Sequence, residues 1–193
     1  MSRVSTWIWV TGFALIAAVD CKKTSRSSTE GEGGETESQV VAVAPMDARE
    51  AAQWKTAAQG DPEERMRLED LVGCEGLRER ASQANLRVTA IAAMQYCYDF
   101  SELPWLAGIA MDGPDTEARA ALEAIDELAA RRRRAADPED ADELHAGCGT
   151  LLALARSMSL PKERRVLAIR ALRMLSERGC VRRADVPTDL DVK

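Results

Sequence analysis

The sequence predicts an all-α fold, and three observations support that prediction. Ala, Leu, Glu and Arg dominate the composition, whereas aromatic residues make up only 4% of the 193 residues; this balance favours helices. Val88, Ile91 and Met94 recur at the spacing of one helical face. A dense turn signal at 111–115, which contains Gly and Pro, separates two such segments. Paired helices joined by short turns must bury their apolar faces against neighbouring pairs, so we expect about six helices in a short α-α superhelix.

The first 21 residues are predicted to be a targeting segment rather than part of the fold. Arg3 supplies an early positive charge, and the apolar run from Trp7 to Val19 is shorter than the about 20 residues that a membrane-spanning helix needs. Such a run is typical of a signal-peptide core. Residues 22–44 are rich in Ser, Thr, Gly and Glu, so we expect a disordered tether there and the helical domain over 45–193.

Cys21 closes the apolar region and is followed by Lys22 and Lys23. This arrangement resembles the N-terminus of a bacterial lipoprotein. The resemblance implies that Cys21 carries a lipid and anchors the chain to a membrane of the cell envelope, facing the periplasm or the cell exterior. Asp20 departs from the lipoprotein pattern, which has a small neutral residue there. Two alternatives stay open: cleavage after Ala18, which would secrete a soluble chain with a free thiol, and an uncleaved anchor.

The first two helices are marked by their start signals. We expect a helix over Pro45–Gln59, with Asp47 near its N-cap and Trp54 on its buried stripe. Asp61 is the predicted N-cap of the second helix, with Pro62 at its first position, and this helix runs towards Ala81.

Later helices follow from the same signals. Asn85–Met94 is helical, Ser101 is the predicted N-cap of the next helix with Pro104 in its first turn, and a long helix starts at Thr116. A final pair over Ala141–Met158 and Pro161–Arg178 precedes an irregular tail, Val181–Lys193.

Three positions in the middle of the chain resemble landmarks of a HEAT repeat: Pro104 in the first helix, Asp112 in the turn and Arg119 early in the second helix. Glu117–Leu122 is similar to the start of that second helix. On this resemblance, Asp112 is expected to accept hydrogen bonds from free amides at the start of the second helix. Arg119 is expected to reach turn carbonyls or the aspartate of an adjacent unit.

A degenerate internal repeat adds support. Gly73–Leu77 is followed by the helical run Arg87–Met94, and Gly147–Leu151 is followed by the run Arg165–Leu172. The order and the residue types are the same in both copies. We therefore interpret most of the chain beyond the tether as repeated helical pairs.

Four cysteines remain beside Cys21, and an exported chain is expected to oxidise them. Cys74 and Cys97 lie on consecutive antiparallel helices, with an axial mismatch of about 4.5 Å, which favours a bridge. Gly179 ends the last helix and would let Cys180 fold back towards Cys148. The predicted disulfides are thus Cys74–Cys97 and Cys148–Cys180; the alternative is four buried, reduced cysteines.

No catalytic motif or phosphate-binding loop is evident, so we expect neither an enzyme nor a cofactor. His145 and Cys148 are spaced to share a helix face, but no second ligand pair lies nearby, so no metal site is predicted. Glu123, Asp126 and Glu127 are interpreted as carboxylates on a solvated helix face.

Charge argues against a nucleic-acid partner. The chain has 26 Lys and Arg against 32 Asp and Glu, a formal net charge of -6. Arg131–Arg134 close the fifth helix, where cations complement the helix dipole. We interpret this cluster as facing solvent; the alternative is a docking patch for acidic lipid headgroups or a partner, which the acidic run at 137–140 weakens.

The function that fits best is a non-catalytic envelope lipoprotein whose helical-repeat domain binds a protein partner. The alternatives are a disulfide-stabilised structural envelope protein and an enzyme similar to HEAT-repeat bilin lyases, the latter by analogy of fold alone. The aromatic residues near the third and fourth helices are expected to be mostly core. Tyr98 is the preferred anchor for a partner, since its hydroxyl tolerates both water and an interface.

Overall fold

Seven α-helices and no strands make up the part of the chain that the computed structural model describes, residues 45–131 and 141–188. The all-α prediction is confirmed. The predicted targeting segment with Cys21, the tether at 22–44 and the arginines at 132–134 lie outside the described residues. No helix within 45–131 or 141–188 is long and apolar enough to cross a membrane.

The first two helices begin where their N-caps predict. α1 spans Ala48–Ala57, and the Asp47 carboxylate accepts a hydrogen bond from the amide of Glu50 at 2.7 Å. α2 spans Pro62–Arg80, and the Asp61 carboxylate accepts a hydrogen bond from the amide of Glu63 at 2.8 Å. An N-cap carboxylate satisfies amides that have no partner inside the helix, which is why both starts can be predicted locally.

Five further helices follow along the described part of the chain. Their bounds are Arg87–Ala93 for α3, Leu103–Asp112 for α4, Asp115–Ala130 for α5, Ala141–Arg156 for α6 and Lys162–Ser176 for α7. Single 3₁₀ turns follow α3 at Met94–Tyr96 and α7 at Arg183–Asp185.

The helices are arranged as stacked pairs in two layers. The pairs α2–α3, α4–α5 and α6–α7 each pack as antiparallel hairpins, and α1 packs on α2. Within one layer α4 packs on α6, and within the other α3 packs on α5 and α5 on α7. This arrangement is the one expected for an α-α superhelix; the HEAT-repeat resemblance itself stays a prediction.

The core lies between the two layers. Its largest fully buried side chains are aliphatic and come from five helices, α2 to α6: Leu68, Leu77, Ile91, Leu103, Leu106, Leu122, Ile125, Leu128, Leu144, Leu151 and Leu154, with Met94 just beyond α3. Each such side chain contributes about 1.5–3 kcal/mol through removal of its surface from water. Buried alanines between them let the helices approach closely, so the stack needs few aromatic residues.

α2 ends at Arg80 with Ala81 as its C-cap, as the sequence predicts, and it is kinked at Gly73, which has φ 70° and ψ 171°; a residue with a side chain rarely adopts this conformation.

One expectation about the helices is wrong: Ser101 is not the N-cap of α4. Its amide and hydroxyl both donate to the Asp99 carboxylate, at 3.0 and 2.6 Å, and Glu102 takes the N-cap position without a side-chain bond.

Candidate functional site

Two disulfides hold the helical pairs at either end of the stack. Cys74 in α2 is bonded to Cys97, and Cys148 in α6 is bonded to Cys180, with Cα–Cα distances of 5.8 and 6.0 Å. These distances lie in the ordinary range for disulfides. The pairing is the one predicted from the sequence. Each bond joins the first helix of a hairpin to the chain just beyond its second helix.

The loop between α3 and α4 exposes Tyr98 between two buried residues. Cys97 is fully buried in its disulfide, Phe100 is 4% exposed, and the Tyr98 between them is 68% exposed. The Asp99–Ser101 hydrogen bonds close the turn that follows. The tyrosine is therefore held out from the surface by a loop that is fixed on both sides.

The buried aromatic residues beside this loop are covered by arginines. The Arg131 guanidinium lies 4.1 Å from the centre of the Tyr96 ring, and that of Arg178 lies 5.5 Å from the centre of the Phe100 ring. Arg178 also donates to the carbonyl of Ala129 at 3.4 Å, near the carboxyl end of α5. Arg131 is only partly exposed, so the first arginine of the predicted basic cluster contributes to packing through a cation–π contact.

Glu102 is a buried carboxyl beside the same loop. It is 6% exposed, and its Oε2 lies 3.6 Å from Nη1 of Arg78 in α2. Burial raises the pKa of Glu102; Arg78 lowers it, while the carboxylates of Asp99 and Glu75 raise it further. No sequence pattern marks this residue, because its burial and its contact with Arg78 depend on how distant segments of the chain meet.

The layer formed by α3, α5 and α7 is held together by ion pairs that centre on α5. Arg87 of α3 lies 3.0 Å from Glu117, and Arg170 of α7 lies 2.8 Å from Asp126. The sequence predicted a solvated Asp126, but this residue is half-buried. Burial raises its pKa, and Arg170 partly offsets that rise.

The predicted contact of Arg119 is wrong. Arg119 pairs with Glu123 at 2.9 Å within α5, and both side chains are largely exposed. Arg164 of α7 makes the contact instead: it donates to the carbonyls of Ala110 and Met111 at 3.5 and 3.4 Å and pairs with Asp115. This long-range contact joins residues 49 positions apart, so a single repeat unit does not reveal it.

Two adjoining cavities follow α5 on the outside of this layer. The first, about 600 Å³, lies between α5 and α7. The second, about 370 Å³, lies among α5, α3, α7 and the start of α2. Glu123 and Leu167 line both, so the cavities form one groove. Arg65, Gln95 and Glu127 also line the second cavity.

His145 and Cys148 do not form a pair of metal ligands. Cys148 is bonded to Cys180, and His145 is exposed with its Nδ1 against the carbonyl of Ala141. Among the described residues no three His, Cys, Asp or Glu side chains are grouped to hold a metal ion.

Comparisons of the chain with protein-family models, with curated proteins and with solved structures find no match.

Proposed function

We propose that the helical domain is a non-catalytic module that binds a protein partner, with Tyr98 as an anchor. The observation that carries this proposal is the 68% exposure of Tyr98 in a loop whose neighbours Cys97 and Phe100 are buried. Tyrosine is enriched among the residues that dominate binding energy at interfaces. A side chain on a fixed loop loses less conformational entropy on binding, which favours affinity.

The architecture supports the same proposal. Helical pairs stacked in layers present an extended outer surface, and repeat proteins use such surfaces to bind other proteins. We further propose that the domain is a HEAT-like unit of an envelope lipoprotein attached through Cys21. Its two disulfides fit an oxidising compartment outside the cytoplasm.

The test is crosslinking in the native envelope with a photoreactive amino acid at a position that neighbours Tyr98. The chain that keeps Tyr98 should capture a partner, and Tyr98→Ala with the crosslinker at the same position should reduce capture about tenfold, as for an anchor worth about 1.4 kcal/mol. Tyr98→Phe should retain most of the capture, since the ring supplies the contact area.

Met158→Ala is the matched control, because Met158 is 67% exposed and lies in a different loop. It should leave capture unchanged. The proposal is wrong if Tyr98→Ala captures the partner as well as Met158→Ala does. It is also wrong if Tyr98→Ala lowers the helical circular-dichroism signal, since Tyr98 would then belong to the core.

A further inference from the structure

The two disulfides differ in their exposure to solvent. Cys97, Cys148 and Cys180 are buried, whereas Cys74 is partly exposed. Thiol–disulfide exchange begins when a thiolate attacks one sulfur of the bond, and exposed disulfides are the labile or regulatory ones. A dissolved thiol should therefore reach the Cys74–Cys97 bond of the folded chain from the Cys74 side, whereas both ends of Cys148–Cys180 are shielded.

The surroundings of Cys74 leave room for a reductant and suit the reduced form as well. Cys74 follows the kink of α2, where a Cβ at Gly73 would meet nothing within 4 Å, and the next residue, Glu75, is exposed. The Glu69 carboxylate lies 3.5 Å from Cys74 Sγ, so it can accept a hydrogen bond from a Cys74 thiol. A reduced Cys97 can stay buried as a small apolar group. Both redox forms are thus compatible with the same helices.

The Cys74–Cys97 bond fixes one side of the Tyr98 loop, which we define as residues 97–102. The first residue of this loop is bonded to α2 through the disulfide, and its fourth, Phe100, is buried in the core. Tyr98 lies between these two fixed positions. Opening the bond would release the residue before Tyr98 and leave Phe100 in place.

We propose that the Cys74–Cys97 disulfide is a redox switch that controls how firmly Tyr98 is presented to the partner. With the bond closed, Cys97 holds Tyr98 in its exposed position; a dithiol that opens the bond frees the loop and weakens binding. An anchor on a freed loop must be ordered on binding, so capture should fall about fivefold. The effect on binding rests on the proposed function, whereas selective reduction of this bond and release of the loop do not.

The reduction is a two-electron exchange with a dithiol. A thiolate of the dithiol attacks Cys74 Sγ and forms a mixed disulfide, and Cys97 leaves as a thiolate that takes a proton. The second thiolate of the dithiol then attacks its own sulfur in the mixed disulfide, and Cys74 leaves and takes a proton. The dithiol ends as a disulfide, and the chain has gained two electrons and two protons.

The first test measures which bond opens. Free thiols of the purified full chain are blocked by alkylation, and the chain is then treated with dithiothreitol at graded concentrations under native conditions. Rapid alkylation with a second agent and peptide mass spectrometry report each cysteine. Cys74 and Cys97 should be labelled at dithiothreitol concentrations about tenfold below those that label Cys148 and Cys180. Opening of both bonds together, or of Cys148–Cys180 first, would overturn the inference.

The second test measures whether opening the bond releases the loop. The amide of Cys97 donates to the carbonyl of Met94 at 3.0 Å, so its hydrogen exchange reports local opening. Exchange at this amide should become about fivefold faster when Cys74–Cys97 alone is reduced, and exchange in α6 should not change. Both tests use the unchanged sequence, so they do not depend on a variant that folds. Equal exchange in the oxidised and reduced forms would show that other contacts fix the loop, and the switch would be wrong.

The third test measures whether the release affects partner capture. The Cys74→Ser, Cys97→Ser double variant is compared with Cys148→Ser, Cys180→Ser, with the crosslinker at the same position next to Tyr98 in both. The two variants lose bonds that span similar separations, 23 and 32 residues, but only the first bond is attached to the Tyr98 loop. The first variant should reduce capture about fivefold, and the second should leave it unchanged. Equal losses would contradict the proposal.

If the first variant does not fold, the wild-type chain reduced at Cys74–Cys97 alone and mixed with an envelope extract takes its place. Failure of the switch is distinct from failure of the proposed function. If Tyr98→Ala captures the partner as well as the wild type does, the anchor is wrong and the effect on binding falls with it. The order of reduction and the exchange at Cys97 are measured without a partner, so they decide the redox behaviour in either case.

Discussion

The carboxylate of Glu50 in α1 receives two hydrogen bonds from the guanidinium of Arg80 at the end of α2, at 2.8 and 3.1 Å. Both side chains are largely buried, 15% and 10% exposed respectively. Trp54 also donates to Glu50, at 3.2 Å. Because planar guanidinium and carboxylate groups match in geometry, this pair fixes how α1 lies on α2.

Glu50→Ala should lower the free energy of unfolding by about 3 kcal/mol, because it removes the acceptor of a largely buried ion pair. Urea unfolding followed by circular dichroism measures the change. Arg67→Ala is the control: Arg67 pairs with Glu63 and Glu64 on the surface, and its loss should cost under about 1 kcal/mol. Similar losses for the two variants would contradict the prediction.

The two disulfides should be present in the native protein as Cys74–Cys97 and Cys148–Cys180. Non-reducing peptide mapping decides the pairing, and four alkylatable thiols or a Cys97–Cys148 peptide would refute it. Replacing either pair by serine should cost roughly 2–4 kcal/mol, since a loop of 23 or 32 residues is no longer closed in the unfolded chain.

Gly147→Ala should destabilise the domain, whereas Gly149→Ala should not, although the two positions flank the same cysteine. A Cβ at Gly147 would lie 2.5 Å from Cγ of Leu103, so α6 must move away from α4; the expected cost is about 1–3 kcal/mol. At Gly149 a Cβ meets nothing within 4 Å, and alanine should stabilise the helix by about 0.5–1 kcal/mol. Thermal melts of both variants, with shifts of opposite sign, are the measurement.

Glu102→Gln should change how stability depends on pH. The pKa of Glu102 is raised above its ordinary value of 4.5 in the folded chain, so the folded state binds this proton more tightly. The stabilisation from the protonated group is complete below the unfolded pKa and is lost as the pH rises through the folded pKa. Glutamine does not titrate, so the wild type should lose stability relative to the variant across that range.

Urea unfolding between about pH 4 and pH 7 measures the difference in free energy of unfolding between the wild type and Glu102→Gln. The contribution of Asp126 cancels because both proteins contain it. A difference that stays constant, or that favours the wild type increasingly as the pH rises, would show that burial does not control this carboxyl.

Cys21→Ser should release the protein from the membrane fraction, because the proposed lipid attachment is lost. Fractionation and the mass of the N-terminal peptide are the measurements. A wild-type protein that is already in the soluble fraction, and whose N-terminal peptide has no acyl mass, would leave plain secretion as the better interpretation.

Local features of the chain could be predicted from the sequence, and contacts between distant segments could not. Asp47 and Asp61 act on amides two or three residues away, so their helix starts are evident from neighbouring residues alone. The cysteine pairs follow from hairpin geometry. Arg164, in contrast, contacts Asp115 only because α7 packs on α5, and Arg65 lines a cavity made by four helices. Ser101 was misassigned because Asp99 competes for its hydroxyl.

The closed loops determine which helices would carry a mechanical load. α3 lies wholly between Cys74 and Cys97, and α7 lies wholly between Cys148 and Cys180. Tension applied at the two ends of the domain would pass through the sulfur–sulfur bonds and bypass these helices. α4 and α5 lie between the loops and α1 lies before the first loop, so these helices remain open to extension. The segments inside the loops would stay covalently closed, which sets a limit to the extension of the domain.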